Sequence, residues 1–239
     1  MPYLKESQIV GKMRTTDPRR EPVREPTQMR SQQRVDSILD ATKTVLAEHG
    51  SSNLKVSQIA KVAGISVSSI YQYFPNKSAI LAALCDNYLA MFREVVRDAM
   101  ADKPETISDL ISVTSALLDG YYQFVLHEPV WKDVWSGAGS DKNVEAVGDA
   151  DTLQNTEVIF DGSKHLFLES AQEEAHQKLF LIITWGGKAV DAAIELPQDE
   201  GDVLVEHAKA MLMVCWRDEL VPLAHPEAVG DLPDVQNGA

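Results

Sequence analysis

Residues 57–77, SQIAKVAGISVSSIYQYFPNK, constrain this chain more than any other stretch, because two short helical periods are hinged on one glycine. Ile59, Ala60 and the Val62 to Ala63 pair predict the inner side of a first helix, with Ala60 small enough for a second helix to cross close above it. Gly64 stands just past that helix, where a left-handed backbone reverses the chain, and Ile65 is placed to plug the gap. Ser66 is an N-cap residue for a second helix over Val67 to Phe74, too short to stand without its neighbours. The pattern predicts a helix-turn-helix, whose usual work is to lay one helix in the major groove of DNA.

At 100° per residue, Val67, Ser68, Tyr71 and Gln72 share the outer face of the second helix while Ile70 and Phe74 turn inward. The serine hydroxyls and the Gln72 amide suit base edges, and Val67 and the Tyr71 ring suit thymine methyls. Lys77 opens the next helix behind an Asn76 cap, so an ammonium and unpaired N–H groups converge where a phosphate could sit. Tyr73 offers a phenol on the same side and Lys55 a second charge ahead of the first motif helix. The plainer alternative keeps Tyr71 and Tyr73 as packing anchors of a short helix.

Upstream, Val35, Ile38, Leu39, Thr42, Val45 and Leu46 recur at helical spacing until His49-Gly50, which adds a third helix over the other two. With that helix in place, ILDATKTVLAEHG followed by IAKVAGISVSSIYQYFPNKSAIL resembles the TetR family of bacterial transcriptional regulators across nearly all of residues 34–82. The resemblance implies base contacts from Val67, Ser68, Tyr71 and Ser57, and phosphate contacts from Ser69, Tyr73 and Lys77. Two positions depart from the family's habit: Lys55 stands where a capping threonine is frequent, and Ser57 where a longer polar residue often reads guanine.

Charge divides the chain in the same place. Of 22 basic and 36 acidic residues, 12 and 7 fall in the first 84, leaving 10 and 29 beyond, so the balance moves from +5 to −19. A basic head attracts phosphate and an acidic body is repelled by it, although an acidic surface also serves solubility. Residues 1–30 carry Lys12, Arg14, Arg19, Arg20, Arg24 and Arg30 among Pro18, Pro22 and Pro26 and are expected to be a disordered basic arm, either inert or reaching DNA. Residues 31–76 form the expected DNA-binding domain, 77–223 a helical effector-binding and dimerisation domain, and 224–239 a flexible tail.

Beyond residue 84 no strand alternation occurs, so the fold class is all-α, with helices expected near 77–101, 106–127, 130–137, 143–169, 173–196 and 201–221. Leu179, Ile183, Gly186, Val190 and Ala193 step by 4 and 3, as do Leu204, Ala208, Met211 and Cys215. The resemblance assigns that seam to a homodimer; spacing alone allows a seam inside the chain. Met91, Tyr121, Tyr122, Phe124, Trp131, Trp135, Phe160 and Trp185 supply surface for an effector pocket or, equally, for the core.

His165, Glu169, Glu173 and His176 could gather a metal but fit a solvated helix face better, and no metal or cofactor is expected beyond a small-molecule effector. Cys85 and Cys215 lack a C-x-x-C pattern and read as reduced thiols. No apolar run reaches a membrane span and no signal peptide opens the chain, so the expected setting is cytoplasmic. The nucleotide-binding, nucleophile-elbow and zinc-protease motifs of common enzymes are missing. The expectation is a palindrome-binding homodimeric regulator released by a small molecule, against a helical interaction module or an enzyme.

Overall fold

The computed structural model describes residues 26–137 and 141–232. The chain divides into two compact units at Asp36/Ser37. Of the first unit, residues 26–36 are described, and they are the opening turns of helix α1 (Pro26–His49). The helix therefore takes in residues 26–30, which were expected to belong to the arm, while residues 1–25 lie outside the described residues. Proline at the first helical position gives up an N–H that has no partner there anyway.

In the second unit, α1 continues to His49 and is followed by α2 (Val56–Ala63), α3 (Val67–Tyr71) and α4 (Lys77–Ala99). Ile38, Val45, Ile59, Ile70 and Phe74 are buried, as the spacing predicts for the head, and Leu54 and Ile80 are buried as well. One inner-face expectation fails: Val62 is 48% exposed, because α2 is so short that only Ile59 and Ala60 fall under its neighbours.

The body holds α5 (Ile107–His127), α6 (Pro129–Gly137), α7 (Lys142–Ser163), α8 (Gln172–Ala193) and α9 (Gln198–Cys215). α4 runs along α7 and α8 along α9. A capping box starts α5: the Asp109 N–H donates to the Thr106 hydroxyl at 3.1 Å and the Thr106 N–H to the Asp109 carboxylate at 3.0 Å. The core gathers Ile107, Leu110, Leu166, Phe167, Leu179 and Trp216, each large side chain contributing about 1.5–3 kcal/mol by leaving water.

Two boundaries differ from expectation for one reason. α7 ends at Ser163, not near 169, because Leu166 and Phe167 leave the helix to enter the core. The chain after residue 223 is then needed to cover them: the His225 N–H donates to the Leu166 carbonyl at 2.9 Å and Ala224 bridges Phe167. The Ser108 hydroxyl also holds the Asp231 carbonyl at 2.7 Å. Residues 224–232 are thus docked where a free tail was expected, and 233–239 lie outside the described residues. α9 begins at Gln198, three residues early, and closes in a π turn over Trp216–Leu220 that buries Trp216 and Leu220.

Gly201 lets α9 approach α8, since a Cβ there would lie 2.6 Å from the Ala193 carbonyl oxygen and 2.7 Å from the Tyr122 hydroxyl. Among the described residues no helix is long and apolar enough to cross a membrane.

Candidate nucleic-acid interface and effector cavity

The turn between α2 and α3 is built as its residues require. Gly64 takes φ 66° and ψ 31°, the left-handed region open to glycine at little cost, and the Ile65 N–H returns to the Ala60 carbonyl at 3.0 Å. Ser66 caps α3 by accepting the Ser69 N–H at 3.1 Å, and its hydroxyl meets those of Ser68 and Ser69 at 2.8 Å each. Three hydroxyls are therefore pooled at the start of α3. Behind them Ile70 is fully buried, while Ser68, Tyr71 and Gln72 are exposed and Val67 is half-buried. Tyr71, at 50% exposure, and exposed Tyr73 both reach solvent, so neither acts as a buried anchor.

Lys55 and Ser57 are exposed at the start of α2. The missing hydroxyl cap at Lys55 is offset by Gln58, whose side-chain oxygen accepts the Lys55 N–H at 2.9 Å. At α4, Asn76 caps the Ala79 N–H at 2.8 Å as its sequence position suggested. Lys77 does not stand free: its ammonium donates to the Ser51 carbonyl at 3.2 Å, across the head. The ammonium expected at a phosphate thus lies on the 51–53 turn.

That turn is also where head and body meet. The Ser51 N–H donates to the Asp133 carboxylate of α6 at 2.6 Å, and the Ser51 hydroxyl lies 3.2 Å from both the Asp133 carbonyl and its carboxylate. Next to it the Ser78 hydroxyl donates to Asp141 at 2.7 Å and accepts from Asn143 at 2.7 Å. The Ser78 hydrogen bond is the main cause holding the Asp141 carboxyl below its ordinary value. Sequence reasoning missed Asp133 and Asp141 because each partner lies more than 60 residues away, and no local spacing marks such a pair.

A cavity of about 570 Å³ opens in the body. Of the eight aromatic and methionine candidates, Tyr121 and Trp135 line it. Trp131 is wholly buried and stacks on Trp135 at 4.9 Å; Phe124 packs on Tyr88 and Phe92; Phe160 meets His176 edge-on. Tyr122 is buried with its hydroxyl on Asp202 at 3.0 Å, and Met91 and Trp185 face solvent. Large side chains at helical spacing point to either face of a layer, so type alone could not sort them. The walls also include Phe92, Leu117, Phe180, Ile183 and Trp216. Gly148 makes room for the Trp135 indole, whose ring would lie 2.6 Å from a Cβ there. The Trp135 N–H donates to Asp191 at 2.7 Å.

Beside the cavity, α4 and α7 enclose Arg93, which pairs with Asp151 at 2.8 Å and also reaches Gln154 and Asp86. Burial pushes the Asp151 carboxyl up to about 6 in spite of Arg93. The Tyr121 phenol is raised well above its ordinary range, again chiefly by burial. Burial likewise pushes the Cys85 thiol up to about 12, which leaves it protonated and unreactive, and both cysteines are free. Among the described residues no group of three or more His, Cys, Asp or Glu could hold a metal. His165 lies on the Pro104 carbonyl at 3.0 Å and His176 on Glu157 at 2.9 Å, so the suggested set is parted by its own contacts.

The expected dimer seam falls mostly within one chain. Leu179, Gly186, Val190 and Ala193 are buried, Ile183 lines the cavity, and Leu204, Ala208 and Cys215 are half-buried. Only Met211 of the nine is open, at 71% exposure. The apolar side chains left uncovered on this pair of helices are Leu181 and Trp185 on α8 with Val203, Met211 and Val214 on α9. Both faces repeat every three to four residues, and the spacing picked the inner one.

A helix-turn-helix head with an outward α3, joined to a helical body with a ligand-sized cavity, defines a regulator of the one-component kind. Residues 38–84 match the family model described as "Bacterial regulatory proteins, tetR family", and residues 108–215 match "Tetracyclin repressor-like, C-terminal domain". The chain belongs to the TetR family of transcriptional regulators, whose members are regulators and not enzymes.

A curated relative, the fatty acid metabolism regulator protein of Bacillus subtilis, is 35% identical over 92 residues, 37% of this chain and 47% of that one. The match thus spans about half of that relative's length. A TetR-family regulator from Streptomyces coelicolor superposes with a TM-score of 0.60 at 19% identity, covering 78% of this chain and 99% of the other. The fatty acid degradation regulator FadR from Bacillus halodurans gives 0.52 at 21%, covering 76% and 97%. At these identities the two structures speak for the fold.

Proposed function

We propose that the protein is a ligand-responsive repressor: a homodimer binds a palindromic operator through two copies of α3, and a small molecule in the body releases it. The observation that carries the proposal is the pairing of a wholly buried Ile70 with an exposed Ser68 and Tyr71 on the same short helix, which ends at Tyr71 and not at Phe74, with exposed Gln72 as its C-cap. In this proposal Val67, Ser68, Tyr71, Gln72 and Ser57 read bases, with Ser66, Ser69, Tyr73 and Lys55 at the backbone. Lys77 acts there only by exchanging its Ser51 carbonyl for a phosphate.

The uncovered face of Leu181, Trp185, Val203, Met211 and Val214 is assigned to the second copy, on the strength of the family's habit of binding operators as homodimers. The cavity is assigned to the effector. α6 couples the two ends: Trp135 forms cavity wall while Asp133, two residues earlier, holds Ser51 of the head. An effector that displaces Trp135 and so shifts α6 would lower operator affinity by its preference for the shifted state. The setting is the cytoplasm, where such a regulator meets DNA.

Repeated selection of DNA from a random pool by the purified protein tests this. We expect a palindrome whose half-sites lie about 34–36 Å apart or a little more, on successive major grooves. Recovery of no common sequence would overturn the proposal.

A further inference from the structure

Resting on the assignment of the cavity to the effector, its wall chemistry specifies what kind of molecule fits. The wall is apolar and aromatic, and apart from the Ser115 and Tyr121 hydroxyls its uncommitted polar groups are acceptors. Its two lysines are already neutralised: Lys188 pairs with Asp191 at 3.0 Å, and Lys209 with both Asp119 and Glu206 at 3.0 Å. The threonines spend their protons on their own helices, Thr114 on the Leu110 carbonyl at 2.8 Å, Thr152 on Gly148 at 3.0 Å and Thr184 on Phe180 at 2.7 Å. What they leave toward the cavity is lone pairs.

On α7 the lining residues Glu145, Asp149, Thr152 and Asn155 follow at steps of three and four, one stripe of the helix. Glu145 and Asp149 are exposed and have no partner among the described residues. Deeper on the stripe Asn155 is 8% exposed; its amide nitrogen donates to Asp151 at 2.7 Å, and its carbonyl oxygen has no donor. A buried acceptor left unsatisfied is costly, so a ligand that brings an N–H or O–H to it is favoured by that hydrogen bond.

We infer that the effector is a lipophilic cation: an apolar body that fills the aromatic cavity and a protonated nitrogen whose N–H groups meet Asn155 and the carboxylates of α7. A carboxylate or phosphate ligand finds the opposite of what it needs: the lysines of the lining are committed to carboxylates, Asp191 is held by Lys188 and Asp151 by Arg93, and the two carboxylates left over are Glu145 and Asp149. Phe92, Tyr121, Trp135 and Trp216 add aromatic surface, with which a cation interacts favourably.

Titration of the full chain with decylamine, decanol and decanoate, below their micelle concentrations and followed by tryptophan fluorescence, tests this at equal chain length. Decylamine is expected to bind tightest and decanoate weakest. The paired surface change Glu145→Gln with Asp149→Asn should cut the preference for decylamine over decanol by about 3- to 10-fold, as the loss of two partly exposed ion pairs would.

Decanoate binding as tightly as decylamine, no binding of decylamine, or an unchanged preference in the double variant would each overturn the inference. The outcome stays separable from the regulator assignment. Decanoate releasing the operator where decylamine does not leaves the repressor standing and removes the cation; amine selectivity in a chain that selects no DNA does the reverse.

Discussion

The head and the body of this chain are both helical, yet they solve opposite problems. In the head, short helices hold a polar and aromatic face outward: Tyr71 is half exposed while its neighbour Ile70 is sealed. In the body, long helices turn large side chains inward and leave a hollow among them. Their charges are opposed as well, +5 against −19. The contrast teaches that one fold can present one end to a polyanion and reserve the other for a small molecule, provided a rigid element links them. In the proposed coupling α6 is that element, with Trp135 in the cavity wall and Asp133 on Ser51.

The largest effect should come from parting the two copies. Trp185→Asp combined with Met211→Asp puts charge on the uncovered face of α8 and α9 and should give a monomer by light scattering. Operator affinity should then fall on the order of 100-fold or more, because the second half-site no longer binds intramolecularly. A dimer that survives would move the interface elsewhere.

Next in size, Tyr71→Ala should cost about 1–3 kcal/mol on the best operator and little on unrelated DNA, measured by competition binding. Equal losses on both would make Tyr71 a backbone contact. The link between the ends is tested by Asp133→Ala. It deprives the Ser51 N–H of its carboxylate, a loss of about 1–3 kcal/mol, and should loosen residues 50–54 in hydrogen exchange and blunt the effect of any effector on operator binding. Full release by effector in this variant would take α6 out of the coupling.

The smallest effect is a pH dependence confined to the body. Asp151 has its carboxyl raised by burial from 3.8 to about 6, so the folded state binds its proton more tightly than the unfolded chain does. Its contribution to stability is full below about pH 4 and is lost as pH rises through about 6. Asp151→Asn should therefore flatten the melting temperature across that window, and an unchanged profile would show that Arg93 dominates Asp151.

The sequence carried the head and the body unequally. Gly64, Ser66 and Asn76 act within four residues of themselves, so the turn and both caps could be read directly from the string. The body depends on contacts such as Phe167 with Ala224 and Ser51 with Asp133, whose partners are far apart in the chain. That is why the docked residues 224–232 and the early end of α7 are not legible in the sequence, and why six of the eight residues expected at the cavity lie away from its lining. The same limit explains Lys77: its place at the start of α4 was legible, but its target, the Ser51 carbonyl, was not. For α8 and α9 a period of three to four residues described an inner and an outer face equally well. Only burial tells Val190 from Trp185.

The account stands most directly on how operator affinity responds to salt. Fluorescence anisotropy of a labelled palindrome, titrated with the protein from about 50 to 300 mM salt, should give log K falling linearly with log salt at a slope steeper than about −3, as several released counterions require. The stoichiometry should be two chains per palindrome. A palindrome left unbound at the lowest salt, or bound with no salt dependence, would contradict the outward-facing α3 as a DNA reader.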